Sequence, residues 1–281
     1  QSNFPKFKKK GVRDTYRSCV VNNNIRIEEG FLKLPKIGLV EMRMERDLPN
    51  NSVIKSVTIT KTKINKYFVS IQFEFFKKIK QVEPKSYLGL DYSSPYMYID
   101  SNGKIPDIPK PYRQHEPLLA KEQRKLSRMI HNSNNYKKQL IKINKIYEKI
   151  ANIRKDFAHK ISRKIANSYD VVCVEDLDLV EISKNQRKSK DNMFKLGKAT
   201  YDNGWGMTRT MIEYKLKEQG KYFIKANKWF PSTQQCSSCK NKNEIDIKER
   251  EYQCECGLII DRDLNAALNL KQYAIEQLAR A

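Results

Sequence analysis

Long hydrophobic runs are missing from the sequence, and so is the acidic charge that would balance its basic charge. No stretch approaches the roughly 18 continuous apolar residues of a membrane-spanning helix, and no charged-then-apolar signal peptide opens the chain. Lys and Arg number 55 against 32 Asp and Glu, which gives a formal net charge of +23 over 281 residues. Such a chain repels itself unless a polyanion is present, so we expect a soluble, intracellular protein that binds nucleic acid and no membrane.

Cysteine and histidine are scarce, and the cysteine spacing does not fit a disulfide framework. Four of the six cysteines form a C-x-x-C pair and a C-x-C pair: Cys236, Cys239, Cys254 and Cys256. Two such knuckles can present four thiolates tetrahedrally to one zinc ion, and the three histidines lie far away in sequence. We therefore expect one structural zinc. Cys19 and Cys173 stand alone in strand-like runs, which predicts small buried side chains.

Residues 1–80 show the pattern of β structure. The segment "IRIEEGFLKLP" predicts a hairpin around Glu29-Gly30, and four apolar residues alternate onto one face of a later strand: Val69, Ile71, Phe73 and Phe75. A small barrel or sandwich is expected. Lysines beside aromatic residues near the start are candidates for nucleic-acid contact, with a plain solvated surface as the alternative: Lys6, Lys8, Lys9 and Lys10.

The rest of the chain has a mixed α/β pattern. Apolar strands end at Asp91 and Glu175, and a second strand is expected over Tyr96 to Ile99. Between them, apolar residues recur at three- and four-residue steps from Glu116 to Tyr169, which predicts two long inserted helices with a break at 131–135.

A stretch of low hydrophobicity, 183–193, is expected to be a mobile loop. A helix ending at Gly220, a strand over 221–230 and a C-terminal helix follow. The buried face of that last helix is expected to carry Leu264, Ala267, Leu268 and Tyr273.

Four acidic residues stand where strands end or a helix begins: Asp91, Glu175, Asp261 and Asp263. Such positions converge at one edge of an α/β sheet, where carboxylates repel one another unless a divalent cation neutralises them. Spacing alone leaves two alternatives, a metal-dependent phosphodiester site and salt bridges to the surplus Lys and Arg.

Several motifs together resemble the transposon-encoded TnpB (OrfB) family. They are "LGLDYS", "VVCVEDL" and "CSSCKN…YQCECGLIIDRDLNAALNL", supported by "FPKFK", "LAKEQRKLSR" and "WFPSTQQCSSC". The resemblance covers essentially the whole chain. It implies an α/β RNase H-like (RuvC) nuclease domain with inserted helices and a zinc ribbon, preceded by a small β-barrel-like wedge domain.

The resemblance also implies a domain order. A wedge or oligonucleotide-binding domain would occupy 1–80, and a RuvC-like domain 86–230 with its helical insertion at 112–169. The zinc ribbon would cover 231–258 and the last RuvC segment 259–281. Family members carry an N-terminal region before "FPKFK", and we expect that region to be missing here.

By the same resemblance, the protein is an RNA-guided DNA endonuclease with Asp91, Glu175 and Asp263 as its catalytic acids, holding two Mg²⁺ ions. Asp263 is preferred to Asp261 because the matching family position stands two residues before the Asn-Ala-Ala of "NAAL". Arg209 matches a phosphate-contacting arginine of related nucleases.

The implied partners are a guide RNA from the transposon end and target double-stranded DNA, in a prokaryotic cytoplasm with nucleoid association. Two alternatives remain open at this point. One is a nucleic-acid-binding relative that does not cleave, and the other is an unguided RuvC-like nuclease or transposase.

Overall fold

The structure is a computed structural model that describes residues 14–94, 96–177, 202–246 and 249–280. The described residues group into two compact units. One contains the described residues up to Lys78 together with Met129–Lys145, and the other contains Ile79–Arg128 and the described residues from Ile146 onward. The segment Met129–Lys145 therefore groups with the first unit, although it lies inside the helical insertion that the sequence assigned to the nuclease domain. The expected mobile loop at 183–193 lies outside the described residues.

From residue 14 onward, the first unit contains six strands in two antiparallel sheets. Its strands are β1 (Thr15–Cys19), β2 (Arg26–Glu28), β3 (Phe31–Leu34), β4 (Gly38–Glu41), β5 (Val53–Lys61) and β6 (Tyr67–Glu74). The sheet orders are β1-β5-β6 and β2-β3-β4, and one apolar cluster contains Leu32 and Leu34 of the second sheet and Val57 of the first. Within residues 14–78 no ladder joins the two sheets, so this part is a pair of packed sheets rather than a closed barrel.

Local patterns in this unit were predicted with mixed success. The hairpin between β2 and β3 is present, and Glu29 and Gly30 both have positive φ, as a two-residue turn of this kind requires. Cys19, by contrast, is exposed rather than buried. The alternation along β1 half-buries Tyr16 and Ser18 and turns Cys19 to the opposite face. Phe75 is also exposed, because β6 ends at Glu74.

The second unit is built on a four-stranded sheet of order β10-β9-β7-β8. Its strands are β7 (Tyr87–Asp91), β8 (Ile99–Asp100), β9 (Val171–Glu175) and β10 (Tyr222–Ala226). The strands β10, β9 and β7 are parallel, and β8 is antiparallel to β7. The second strand is thus shorter than the expected span from Tyr96 to Ile99. A turn replaces its first part, since Met97 has φ 75° and its carbonyl accepts a hydrogen bond from the Ser93 amide.

Four helices in the described parts of the chain follow the predicted periodicities. They are α1 (Pro111–Ser127), α2 (Asn134–Ser168), α3 (Trp205–Glu218) and α4 (Arg262–Ala279). Helix α1 begins earlier than expected, at a proline, which is well suited to the first helical position. Strand β9 is apolar on both sides because helices cover both faces of the sheet. Val172 and Val174 pack with Trp205 of α3, while Val171 and Cys173 pack with Leu270 of α4.

Helix α4 lies directly against β7, and a glycine makes this possible. A Cβ atom at Gly89 would stand 2.0 Å from the carbonyl oxygen of Ala267 and 2.6 Å from the amide nitrogen of Lys271. Any side chain at position 89 would therefore push α4 away from the strand that ends in Asp91. The motif "LGLD" thus fixes where the start of α4 can lie.

A short antiparallel hairpin precedes α4. It consists of β11 (Glu251–Gln253) and β12 (Ile259–Asp261), with Glu251 opposite Asp261. The buried Tyr252 side chain lies on this hairpin. None of the helices in the described residues is long and apolar enough to cross a membrane.

Candidate nuclease site and zinc ribbon

Two of the predicted acidic residues end neighbouring parallel strands. Asp91 is the last residue of β7 and Glu175 the last residue of β9, and the register pairs Leu90 with Val174 just before them. Because the carboxyl ends of parallel strands meet at one edge, the two carboxyl groups lie side by side. Asp91 is almost completely buried and Glu175 is half-buried.

The third acidic residue reaches the same edge from the first turn of α4. Asp261 is the N-cap of α4, and its carboxylate accepts a hydrogen bond of 3.0 Å from the Leu264 amide. Asp263, two residues later, is buried, whereas Asp261 is exposed. The two carboxylates that sequence analysis had to choose between therefore differ in environment. One caps a helix in solvent, and the other is buried in the first helical turn.

The charges of the three carboxylates act on one another at this edge of the sheet. Burial raises the pKa of Asp91 well above its ordinary value, and the charges of Glu175 and Asp263 raise it further. Burial also raises the pKa of Glu175; the Ser232 hydroxyl offsets part of this rise, and the Asp263 charge adds to it. Buried acids such as Asp91 and Glu175, whose pKa is raised, are stabilised in their charged form when a cation binds beside them.

Two arginines border this group on one side. The Arg262 guanidinium donates hydrogen bonds of 3.2 and 3.3 Å to Asp263, and Arg250 lies 3.6 Å from the other oxygen of the same carboxylate. Arg262 also donates a 2.9 Å hydrogen bond to the Glu249 carbonyl. These contacts tie Asp263 to the segment just before β11.

Ser232 makes a contact with Glu175 that the sequence did not predict. Its hydroxyl donates a hydrogen bond to the Glu175 carboxylate, although the two residues are 57 positions apart in the chain. The Ser232 carbonyl in turn accepts a 2.9 Å hydrogen bond from the Asn269 side chain. Glu175 is therefore connected to α4 through a single residue of the segment that leads into the ribbon.

Asn265 and Asn269, one helical turn apart on α4, hold this segment in place. Both donate from their side-chain amides to the Gln235 carbonyl, at 2.8 and 2.6 Å, and Asn265 accepts a 2.9 Å hydrogen bond from the Ser237 amide. Both are fully buried. The motif "NAALN" could have predicted these contacts. Its two asparagines are four residues apart on an otherwise apolar helix face, and buried side-chain amides need hydrogen-bond partners.

The four predicted zinc ligands converge. Among the described residues, they are the one group of three or more His, Cys, Asp or Glu side chains whose donor atoms all lie within 4.8 Å of one another. The Sγ atoms of Cys236 and Cys256 are 3.7 Å apart, and those of Cys239 and Cys254 are 3.5 Å apart. Four thiolates bound tetrahedrally to zinc at about 2.3 Å would be separated by about 3.8 Å. The dimensions of the cluster therefore fit a zinc ion.

Backbone turns shape each knuckle of this cluster. The Lys240 amide donates to the Cys236 carbonyl at 3.0 Å, and the Gly257 amide donates to the Cys254 carbonyl at 2.9 Å. The backbone amide of Cys256 lowers the pKa of Cys254 to about 6. A thiol that ionises readily is suited to metal binding, because the thiolate is the ligand.

Of the five residues predicted to contact nucleic acid, the structure describes Arg209 but not the four lysines. Arg209 on α3 lies 3.9 Å from the Asp176 carboxylate and donates a 3.3 Å hydrogen bond to the Leu177 carbonyl. Asp176 and Leu177 are the two residues that follow Glu175 in the chain, so Arg209 lies near the carboxylate edge of the sheet. Lys6, Lys8, Lys9 and Lys10 lie outside the described residues.

Family comparisons agree with this arrangement. A family model described as "Probable transposase" (OrfB_IS605) matches residues 66–186, and one described as "Cas12f1-like, TNB domain" matches residues 205–270. The first match contains Asp91 and Glu175, and the second contains Asp263 and all four clustered cysteines. The chain belongs to the TnpB (OrfB) family.

Curated relatives of this TnpB-family chain carry the name "Putative RNA-guided DNA endonuclease". One from Streptomyces pristinaespiralis is 30% identical over 82% of this chain and 56% of the relative. Another, InsQ of Escherichia coli (strain K12), is 28% identical over 95% of this chain and 67% of the relative. The chain thus spans between about half and two thirds of their length.

A solved structure gives the fold. The chain matches a cryo-EM structure of a Cas12f1–sgRNA–target DNA complex with a TM-score of 0.50 and 19% identity, over 79% of this chain and 46% of that one. The match supports the expected α/β nuclease fold for the TnpB-family chain.

Proposed function

We propose that this chain is the nuclease portion of an RNA-guided, transposon-associated DNA endonuclease. The observation that carries the proposal is the convergence of Asp91, Glu175 and Asp263 at the carboxyl edge of the sheet, in a TnpB-family chain whose relatives are named as such nucleases. The named activity belongs to those longer relatives. Its transfer to this chain is our inference.

The three carboxylates would hold two Mg²⁺ ions. Their hard oxygen donors, their burial and the raised pKa of Asp91 and Glu175 support a site that a divalent cation stabilises. When bound, two such ions supply an activated water and charge stabilisation at the leaving oxygen. The chain itself positions the donors: the sheet fixes Asp91 and Glu175, Ser232 orients Glu175, and Arg262 holds Asp263.

The four-cysteine cluster would hold one structural zinc ion. Cys236 is buried and its knuckle is hydrogen-bonded to Asn265 of α4 through Ser237. A zinc ion there would therefore fix the segment that carries Ser232 as well as the hairpin that leads to Asp263.

The proposed partners are a guide RNA from the transposon end and target double-stranded DNA on the nucleoid. Guide pairing would supply sequence recognition, while basic side chains hold the phosphate backbone. We assign backbone contacts to Arg209 and to Lys6, Lys8, Lys9 and Lys10, and a wedge role to the β-rich first unit. The net charge of +23 supports a polyanionic partner.

A plasmid-cleavage assay tests the proposal. Protein co-expressed with RNA from the transposon end should cut a plasmid carrying the matching target in Mg²⁺ and not in EDTA. Asp91→Ala should abolish cutting and leave nucleic-acid binding nearly intact. Loss of both in a folded variant would contradict the assignment of Asp91.

The same assay separates the alternatives. Cutting that persists after RNase treatment would favour an unguided nuclease or transposase. Tight binding with no cutting under any divalent cation would favour a binding protein.

A further inference from the structure

The two tryptophans of the chain have opposite environments. Trp205 is 1% exposed, and its ring packs against Tyr98 and Tyr92 at centroid distances of 5.8 and 6.3 Å. Trp229 is 84% exposed. A single exposed aromatic residue is common on protein surfaces. The position of Trp229 in the fold is what distinguishes it.

Trp229 sits in a short turn whose two ends both contact Glu175. Ala226, at the end of β10, pairs with Glu175 in the sheet, and the Ser232 hydroxyl donates to the Glu175 carboxylate. Trp229 is three positions away from each end in the sequence. Its Cα atom therefore lies no more than about 11 Å from the Cα atoms of Ala226 and Ser232.

The backbone of this turn is fixed while the indole projects into solvent. The Trp229 amide donates to the Asn227 side chain at 2.9 Å, and the Phe230 amide donates to the Asn227 carbonyl at 2.8 Å. The Phe230 ring is anchored on Tyr273 of α4 at 4.7 Å, and the Ser232 amide donates to the Phe230 carbonyl at 2.8 Å. Because the backbone of the turn is already fixed, little backbone freedom is lost when a ligand stacks on the Trp229 ring.

The side chain of Lys228 makes the surface around Trp229 suited to binding nucleic acid. The Lys228 ammonium lies over one face of the Trp229 ring, 5.9 Å from its centroid. An unpaired nucleobase offers a flat face for the indole and a phosphate for the lysine. A peptide would gain from the indole alone, and the chain's charge of +23 favours the polyanion.

We propose that Trp229 and Lys228 form a stacking subsite for an unpaired nucleobase of the strand that enters the carboxylate site. The proposal rests on the proposed nuclease function and deepens it by naming two residues that would position the strand beside the three acids.

Tryptophan fluorescence of the full, zinc-loaded chain in buffer without added divalent cations tests the subsite. A short single-stranded DNA should quench the emission of the wild type, because Trp229 is the exposed indole. An abasic strand of equal length and charge should quench much less. The Trp229→Phe variant should lose the quenching but keep its affinity for a labelled strand, since phenylalanine also stacks. Trp229→Ala should bind the strand about ten-fold more weakly.

Tyr214→Ala is the matched control, because Lys215 lies 5.8 Å from the Tyr214 ring on α3. It should leave strand affinity unchanged. Equal quenching by normal and abasic strands, or unchanged affinity of Trp229→Ala, would overturn the subsite and leave Trp229 as a surface for another protein. Binding is measured without divalent cations, so a failure to cleave plasmid counts against the nuclease function and not against the subsite.

Discussion

At the residue scale, the surroundings of Asp91 disfavour the ionised form of its carboxyl group. Burial, Glu175 and Asp263 all raise its pKa. Between the pKa of the unfolded chain and the higher pKa of the folded state, the folded protein binds a proton that the unfolded chain has lost. In the absence of cations, the contribution of Asp91 to stability therefore falls as pH rises through that window.

We predict that Asp91→Asn abolishes cleavage and stabilises the cation-free protein at neutral pH. Removing a buried charge should raise the midpoint of thermal unfolding in EDTA by roughly 2 °C or more. Added Mg²⁺ should raise the midpoint of the wild type more than that of the variant. Asp261→Asn is the control, because asparagine also caps a helix and Asp261 is exposed. A lower midpoint for Asp91→Asn in EDTA would contradict this account.

Ser232 gives a second prediction at this scale. Its hydroxyl is a hydrogen-bond donor to Glu175, and a bond to a charged group contributes about 1.5–3 kcal/mol. Ser232→Ala should therefore lower the rate of cleavage roughly ten-fold or more and increase the Mg²⁺ concentration needed for half-maximal rate. DNA affinity in EDTA should not change. Ser232→Thr, which keeps the hydroxyl, should restore most of the rate, and an equal loss in both variants would indicate packing instead.

At the scale of elements, the ribbon and α4 behave as one part. Asn265 and Asn269 fix the segment before the first knuckle, and β12 runs directly into α4 at its Asp261 cap. A zinc ion bound by the four cysteines would therefore stabilise both of the segments that lead to the carboxylate site. Gly89 also helps to position α4, because its lack of a side chain allows the helix to lie directly against β7.

We predict about one zinc ion per chain and its loss in Cys239→Ser, because a thiolate is a much stronger zinc ligand than a hydroxyl. Elemental analysis of the purified chain measures this directly. The variant should also lose cleavage, since Ser232 and Asp263 would no longer be held. Cys19→Ser is the matched control, because Cys19 is an exposed cysteine of β1 outside the cluster. Normal zinc content in a folded Cys239→Ser protein would refute the structural role.

At the scale of the whole molecule, the 55 basic residues outnumber the 32 acidic ones, so we expect charge to dominate any binding to nucleic acid. A protein that neutralises many phosphates releases their counterions, so its affinity falls steeply with salt.

We predict a loss of affinity for nucleic acid of roughly 100-fold or more between about 50 and about 200 mM salt. Filter binding or fluorescence polarisation over a salt series measures the slope. Asp91→Asn should show the same slope, because the carboxylate site does not supply the cationic contacts. An affinity that is nearly independent of salt would contradict a phosphate-dominated interface.

Prediction from sequence worked best where the signal is local. Periodicity located the strands that end in Asp91 and Glu175, and cysteine spacing located the four thiols that the structure brings within 4.8 Å of one another. It failed where the outcome depends on which face of a strand is covered. The run containing Cys19 is a strand, yet packing placed Cys19 on the exposed side.

The sequence by itself determined the element types, the four clustered cysteines and the acidic residues at strand ends, because each follows from residues close together in the chain. Only the tertiary structure decided which groups surround them. The Ser232 contact with Glu175 joins positions 57 residues apart, and the Asn269 contact with Ser232 joins positions 37 apart. Such contacts exist because the sheet order and the packing of α4 on Gly89 bring distant segments to one edge, and no local pattern in the chain records that order.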